Sequence, residues 1–144
     1  MTSDTKPSFS EARQKLGPRA FVDLNDTLVR HWYAANHYPV IRQMIPVVID
    51  GSTLEIPNTP KLREVYGETG GKQAPGLARA QISHAYDVAN GICLSAVLDR
   101  YEASERDLAL RNMQAVYGLV GQSLRILWLF DRGDPWTAPR TSRA

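Results

Sequence analysis

The pair Asn90-Gly91 restricts this chain more than any other feature. Between two extended runs, Asn-Gly is the strongest short-range signal of a β-hairpin, because both residues tolerate the positive φ of a tight turn. The flanking runs are Ala80 to Val88 and Ile92 to Tyr101. Ile82, Ala85 and Val88 supply apolar positions in the first, and Ile92, Leu94, Ala96 and Leu98 in the second. Two antiparallel strands are expected.

The flanking segments extend the hairpin into a sheet. Upstream, Ile45-Pro46-Val47-Val48-Ile49 is short, apolar and rich in β-branched residues; it ends at Asp50-Gly51, and Thr53-Leu54-Glu55-Ile56 resumes an extended pattern. A continuous apolar run suits a strand buried on both faces, with Pro46 near its start, where a missing donor matters least. Downstream, Ser104 and Asp107 form a variant capping box, and Glu105 suits the positive end of a helix. Leu108, Ala109, Leu110, Met113 and Val116 predict an amphipathic helix to about Tyr117, closed by Gly118. Leu124 to Phe130 is a second strongly apolar run, ending in Asp131-Arg132-Gly133.

The order is strand, long connection, two hairpin strands, helix, strand, which predicts an α/β fold with a mixed sheet. A crossover helix returns the chain to a strand parallel to an earlier one. If the first three strands form a meander and the last lies beside the first, Asp50 and Asp131 fall at the carboxyl ends of neighbouring parallel strands. Open α/β sheets place their sites there.

The rest of the chain is organised around this unit, assigned to residues 44–133. Residues 1–20 read as a loose leader, punctuated by Pro7, Gly17 and Pro18. Residues 21–43 form a helical segment: Val22, Leu24, Leu28, Trp32 and Ala35 recur at roughly helical spacing, with Asp26 as a cap for Thr27 onward and Pro39 as the limit. Residues 57–79 hold Pro57, Pro60, Gly67, Gly70, Gly71, Pro75 and Gly76, a long connection with a helical turn around Lys61 to Tyr66. Residues 134–144 are an irregular tail, basic from Arg140 to Ala144.

Composition narrows the function classes. With 144 residues, 43% hydrophobic and 22% charged, the chain is one ordinary soluble domain. Its net charge of +2 is no blanket of positive charge, so any nucleic-acid contact must be local. Cys93 is the only cysteine, which rules out an internal disulfide and a cysteine-rich metal site. No apolar run reaches the roughly 18 residues needed to cross a membrane, and the polar N-terminus lacks a signal-peptide core. A cytoplasmic protein without a membrane partner is expected.

Two adjacent carboxylates repel, and a site that keeps both ionised usually holds a cation. Oxygen-only ligands select Mg2+ or Mn2+. Two such ions clamp the attacking and leaving oxygens of an in-line displacement at phosphorus. The carboxylates of Asp50 and Asp131 are then expected on the order of 4–7 Å apart.

Several segments resemble one family. Val47-Val48-Ile49-Asp50-Gly51-Ser52-Thr53-Leu54, followed by Pro57-Asn58-Thr59-Pro60, resembles the first-aspartate segment of bacterial insertion-sequence transposases of the DDE class, the insertion sequence four family. Ala78-Arg79-Ala80 fits the approach to the hairpin. Tyr101-Glu102-Ala103-Ser104-Glu105-Arg106 resembles the family's Y-x-x-x-E-R approach to the helix, and Leu129-Phe130-Asp131-Arg132-Gly133 its second-aspartate motif. The resemblance runs from about residue 45 to residue 133. It implies a ribonuclease H-like fold, incomplete at the C-terminus, metal-dependent cleavage and transfer of DNA ends, and Asp50 and Asp131 as catalytic metal ligands. The family's third acidic residue, a glutamate, has no counterpart after Glu105. Glu102 and Glu105 lie at the start of the helix, the wrong place to substitute. A truncated or frameshifted copy is therefore expected, inactive alone.

Each of these residues has a plainer reading. Asp50-Gly51 by itself reads as a turn, and Asp131 as the polar stop of a buried strand. Arg132 holds either a phosphate or neighbouring carboxylates, or is a surface arginine. Lys61, Arg63, Lys72 and Arg79 either contact DNA phosphates or form a solvated basic loop. Arg132-Gly133-Asp134 is a chance adhesion tripeptide. His31, His37 and His84 lack metal spacing and pack or face solvent. Cys93, Trp32 and Trp128 read as core residues. Three functions stay open: an incomplete transposase core, a non-catalytic truncated transposase that binds DNA or pairs with a further or full-length copy, and an unrelated α/β domain with two incidental aspartates.

Overall fold

The computed structural model describes residues 7–35, 37–70, 76–121 and 124–131. The chain runs α1 (Pro7–Gln14), α2 (Pro18–Ala34), β1 (Ile45–Glu55), α3 (Pro60–Tyr66), β2 (Glu68–Thr69), β3 (Leu77–Asp87), β4 (Ile92–Arg100), α4 (Glu105–Val120) and β5 (Ile126–Phe130). The fold is mixed α/β, with the five strands in one mixed sheet.

β1 is central. It pairs antiparallel with β3 from Val47↔Asp87 to Glu55↔Arg79, and parallel with β5 from Ile45↔Ile126 to Ile49↔Phe130. β4 lies beyond β3 and pairs with it antiparallel, while β2 pairs with the first residues of β3. The expected meander and parallel return are both present.

The sheet packs one face against α2 and α4. Val47, Ile49, Ala85 and Leu94 from the sheet meet Val29 and Tyr33 of α2 and Ala109 and Val116 of α4. A register shift in β4 between the partners of Ala85 and Tyr86 leaves Leu94 as an extra residue; Leu94 is buried and Ser95 nearly so. Such a bulge turns consecutive residues toward one face, which strict alternation forbids. The opposite face is open among the described residues: Tyr86, Val88, Leu127 and Leu129 are exposed there. Among the described residues, β1 is thus covered on one side rather than on both as its apolar run suggested.

Helix boundaries follow local chemistry. Ser104 caps α4 by accepting a hydrogen bond from the Asp107 N–H at 3.4 Å, as expected. The helix passes Gly118 and ends instead at Gly121, which adopts φ +79°. No atom lies near the place of a Gly118 Cβ, so that glycine demands no stop. α2 starts at Gly17 and Pro18 rather than at Asp26, because Pro18 at its first turn is pre-set for a helix and needs no donor. Residues 7–14, expected to be loose, are helical.

The long connection is structured. Thr59 caps α3 through the Leu62 N–H at 3.3 Å. Arg100 donates to the carbonyls of Glu64 and Val65, both at 3.0 Å, and closes the other end of α3. The hairpin loop is wider than the two-residue turn expected. It spans residues 88–91, and Gly91 alone has positive φ, at 71°.

A buried carboxylate ties α2 to this loop. Asp87 is fully buried. It accepts hydrogen bonds from the Tyr33 hydroxyl, the Ala89 N–H at 2.9 Å, the Asn90 N–H at 3.1 Å and the Asn90 amide at 2.6 Å. Burial, then this bond and the Asp87 charge, push the Tyr33 phenol well above its usual range. Tyr33→Phe deletes one donor to a buried charge and is expected to lower unfolding stability by about 1.5–3 kcal/mol. Urea denaturation followed by circular dichroism measures it; a loss below about 0.5 kcal/mol would show that Asp87 does not depend on Tyr33.

Candidate functional site

The site forms where β5 stops beside β1. Val48↔Leu129 and Ile49↔Phe130 are parallel partners, so the next residues, Asp50 and Asp131, sit side by side on strands about 4.8 Å apart. Side chains alternate along a strand, which places Asp50 on the face of Val48 and Asp131 on the face of Leu129. This is the open face of the sheet.

On the other flank of Asp50, β3 presents His84 as its direct partner. Asp131, Asp50 and His84 therefore form a row across three adjacent strands. With Val48, Tyr86, Val88 and Leu129 they line an open cavity of about 440 Å³. Its floor is apolar and its working groups are two carboxyls and an imidazole.

Asp50 does not end a strand. β1 continues unbroken through Asp50-Gly51 to Glu55, because β3 pairs with it along that whole length. The turn reading of Asp50-Gly51 is thereby overturned. Only Asp131 stands at a strand's carboxyl end; Asp50 lies mid-strand, held by its neighbours.

Gly51 points to the helical side, where a Cβ would meet the Gln81 amide at 3.6 Å and the Glu105 carboxyl at 3.7 Å. Glu105 accepts a hydrogen bond from Gln81 Nε2 at 3.2 Å. It thus lies across the sheet from Asp50. Glu102 stands near Gly67 and 3.8 Å from Arg100. Neither joins the aspartates, in line with the sequence reading.

The basic candidates fall elsewhere. Lys61 is exposed on α3. Arg63, also on α3, bonds Asn58 at 3.1 Å and pairs with Glu68 at 3.3 Å. Arg79 stands on β3 opposite Glu55, with its Nε buried and unbonded. Lys72, Arg132 and the tripeptide 132–134 lie outside the described residues.

Nothing in the local sequence marks His84 and Tyr86 as site residues. Alternation along β3 puts them on one face, but only the pairing with β1 brings that face to Asp50. His31 lies in the last turn of α2, and His37 Nδ1 is 2.6 Å from the Ala35 carbonyl. Trp128, half-buried, donates to the Tyr117 hydroxyl at 3.1 Å. Trp32, expected in the core, is 42% exposed on α2. Cys93 is half-buried, and burial pushes its thiol up, partly offset by a hydrogen bond with the Ser95 backbone.

Among the described residues, no group of three or more His, Cys, Asp or Glu side chains is arranged to hold a metal ion. No helix among them is long and apolar enough to cross a membrane. Comparison with protein-family models, curated proteins and solved structures finds no match.

Two predictions follow from this geometry. Like charges directly opposite on neighbouring strands are destabilising, so Asp50→Asn in chelator is expected to raise stability by about 0.2–1 kcal/mol. Urea unfolding in EDTA tests this, and an unchanged or lower stability would mean the two carboxyls do not sense one another. A raised thiol pKa leaves less thiolate at a given pH, so Cys93 is expected to alkylate more slowly than a free cysteine peptide at pH 8. A rate equal to the peptide's would place the thiol in solvent.

Proposed function

We propose that this chain is part of a DDE-type transposase core of ribonuclease H-like design, in which Asp50 and Asp131 together hold Mg2+ or Mn2+. The observation that carries the reading is the parallel pairing of β1 with β5, which sets two aspartates from distant parts of the sequence beside one another. The motif order around them supports it.

The donor set fits the ion. Two carboxyls on one open face offer hard oxygen ligands with room for water and a phosphate to complete the shell. Asp50 sits on a strand paired on both sides, so its position is held closely, as metal spacing requires. A cation bound there supplies charge neutralisation at a phosphodiester. Lys61, Arg63 and Arg79, with Lys72 and Arg132, are the proposed contacts to the DNA backbone. The partners are insertion-element DNA ends and a fuller copy of the transposase, in the cytoplasm.

This chain offers two of the three acidic residues of such a centre. Glu105, the last glutamate of the sequence, is engaged with Gln81 on the other side of the sheet. For residues 1–144 taken alone, metal binding without DNA cleavage is proposed. That placement of Glu105 also favours a second reading, a regulatory chain that binds DNA or a full-length copy without cutting.

Mn2+ titration followed by electron paramagnetic resonance tests the primary reading. Asp50→Asn and Asp131→Asn are each expected to weaken binding by about tenfold or more, roughly 1.4 kcal/mol. Binding unaffected by both substitutions would refute it, and DNA cleavage by the chain alone would refute the assignment as incomplete.

A further inference from the structure

α2 carries more apolar surface than the fold uses. At 3.6 residues per turn, Phe21, Leu24, Leu28 and Trp32 lie within an arc of about 80°. They are 57%, 67%, 50% and 42% exposed. The inward arc, marked by Val29 and Tyr33, is a separate stripe roughly 100° away. The polar arc is separate again: it carries Arg19, Asp23, Thr27 and Arg30, with Arg19 bonded to Asp23 at 2.9 Å. The helix thus has a packed face, a solvent face and a third face that is apolar and uncovered among the described residues. Isolated exposed apolar side chains are ordinary; a continuous stripe along most of a 17-residue helix marks an interaction surface.

We infer that this stripe is where two copies of the chain pair through antiparallel α2 helices. The stripe is self-complementary about a two-fold axis near residue 26. Phe21 of one copy meets Trp32 of the other, and Leu24 meets Leu28. An isologous contact requires this kind of symmetry. Large apolar side chains carry on the order of 150–250 Å² each, so four at about half exposure offer roughly 400–500 Å² per chain. Doubled and joined by a polar rim, this reaches the low end of stable interfaces, near about 1,200 Å². That size fits a dimer that dissociates on dilution rather than an obligate one, which buries about 2,000 Å² or more. The inference stands apart from the cation site, which lies on the open face of the sheet, away from the helices.

Analytical ultracentrifugation of the full chain from about 1 to 200 µM, a range that spans weak to moderate dimer affinities, tests it. The expected result is a concentration-dependent monomer–dimer equilibrium. Leu24→Glu and Leu28→Glu are each expected to leave a monomer throughout, with an unchanged circular dichroism spectrum. If either charge unfolds the chain, the milder Leu24→Gln is expected to raise the dissociation constant at least tenfold. Leu129→Glu, on the open sheet face, is expected to leave the dimer intact. A chain monomeric at every concentration overturns the inference, as does a dimer that survives the α2 substitutions or is abolished by Leu129→Glu.

Discussion

The central position of β1 governs the rest of the structure. Its antiparallel register with β3 and its parallel register with β5 together determine which side chains reach the core and which reach the open face. Because side chains alternate with a period of two, a one-residue slip against either neighbour would send Val47 and Ile49 outward and Asp50 into the helices. Burial of those two residues therefore secures the placement of Asp50. The same slip against β5 would remove Asp131 from its side. Core packing and site geometry are one constraint here.

The helices enforce that constraint from one side. α4 is positioned by its Ser104 cap and buries Leu108, Ala109 and Val116. Asn112 is also fully buried on α4 and donates to Ser83 of β3 at 2.9 Å, which fixes the helix rotation over the sheet. α2 is held through Tyr33 and the buried Asp87, and through Asn25, which donates to the Leu94 carbonyl at 3.3 Å. A carboxylate with no cationic partner among the described residues is tolerated because four donors surround it. The hairpin loop, the bulge and α2 thus share one polar network, and the sheet's other face is left to the aspartates and the apolar cavity floor.

Much of this organisation was legible in the residues. The apolar runs, the hairpin around Asn90-Gly91, the Ser104 cap and the end of the last apolar run at Asp131 report local preferences that the fold obeys. Misreadings arose where tertiary pairing outweighed local signals. Asp50-Gly51 has turn chemistry, yet β3 holds it extended. Asp26 has capping chemistry, yet Pro18 starts the helix earlier. Arg42 and Gln43 adopt φ of 51° and 64° in the turn before β1, where no glycine announces it. The mutual hydrogen bonds of Ile41 and Met44, at 2.8 and 3.0 Å, close that turn.

By itself, the sequence determined β1, the two hairpin strands, α4 and β5 in their order, and the two carboxylates that end its strongest apolar runs, because propensity, capping and periodicity act over a few neighbouring residues; it missed α1 and β2. Only the tertiary structure decided that β5 lies against β1, that His84 and Tyr86 join the aspartates, and that Glu105 faces the other way. Those outcomes depend on contacts between residues far apart in the chain, where register and the choice of buried face are settled by packing the whole sheet at once.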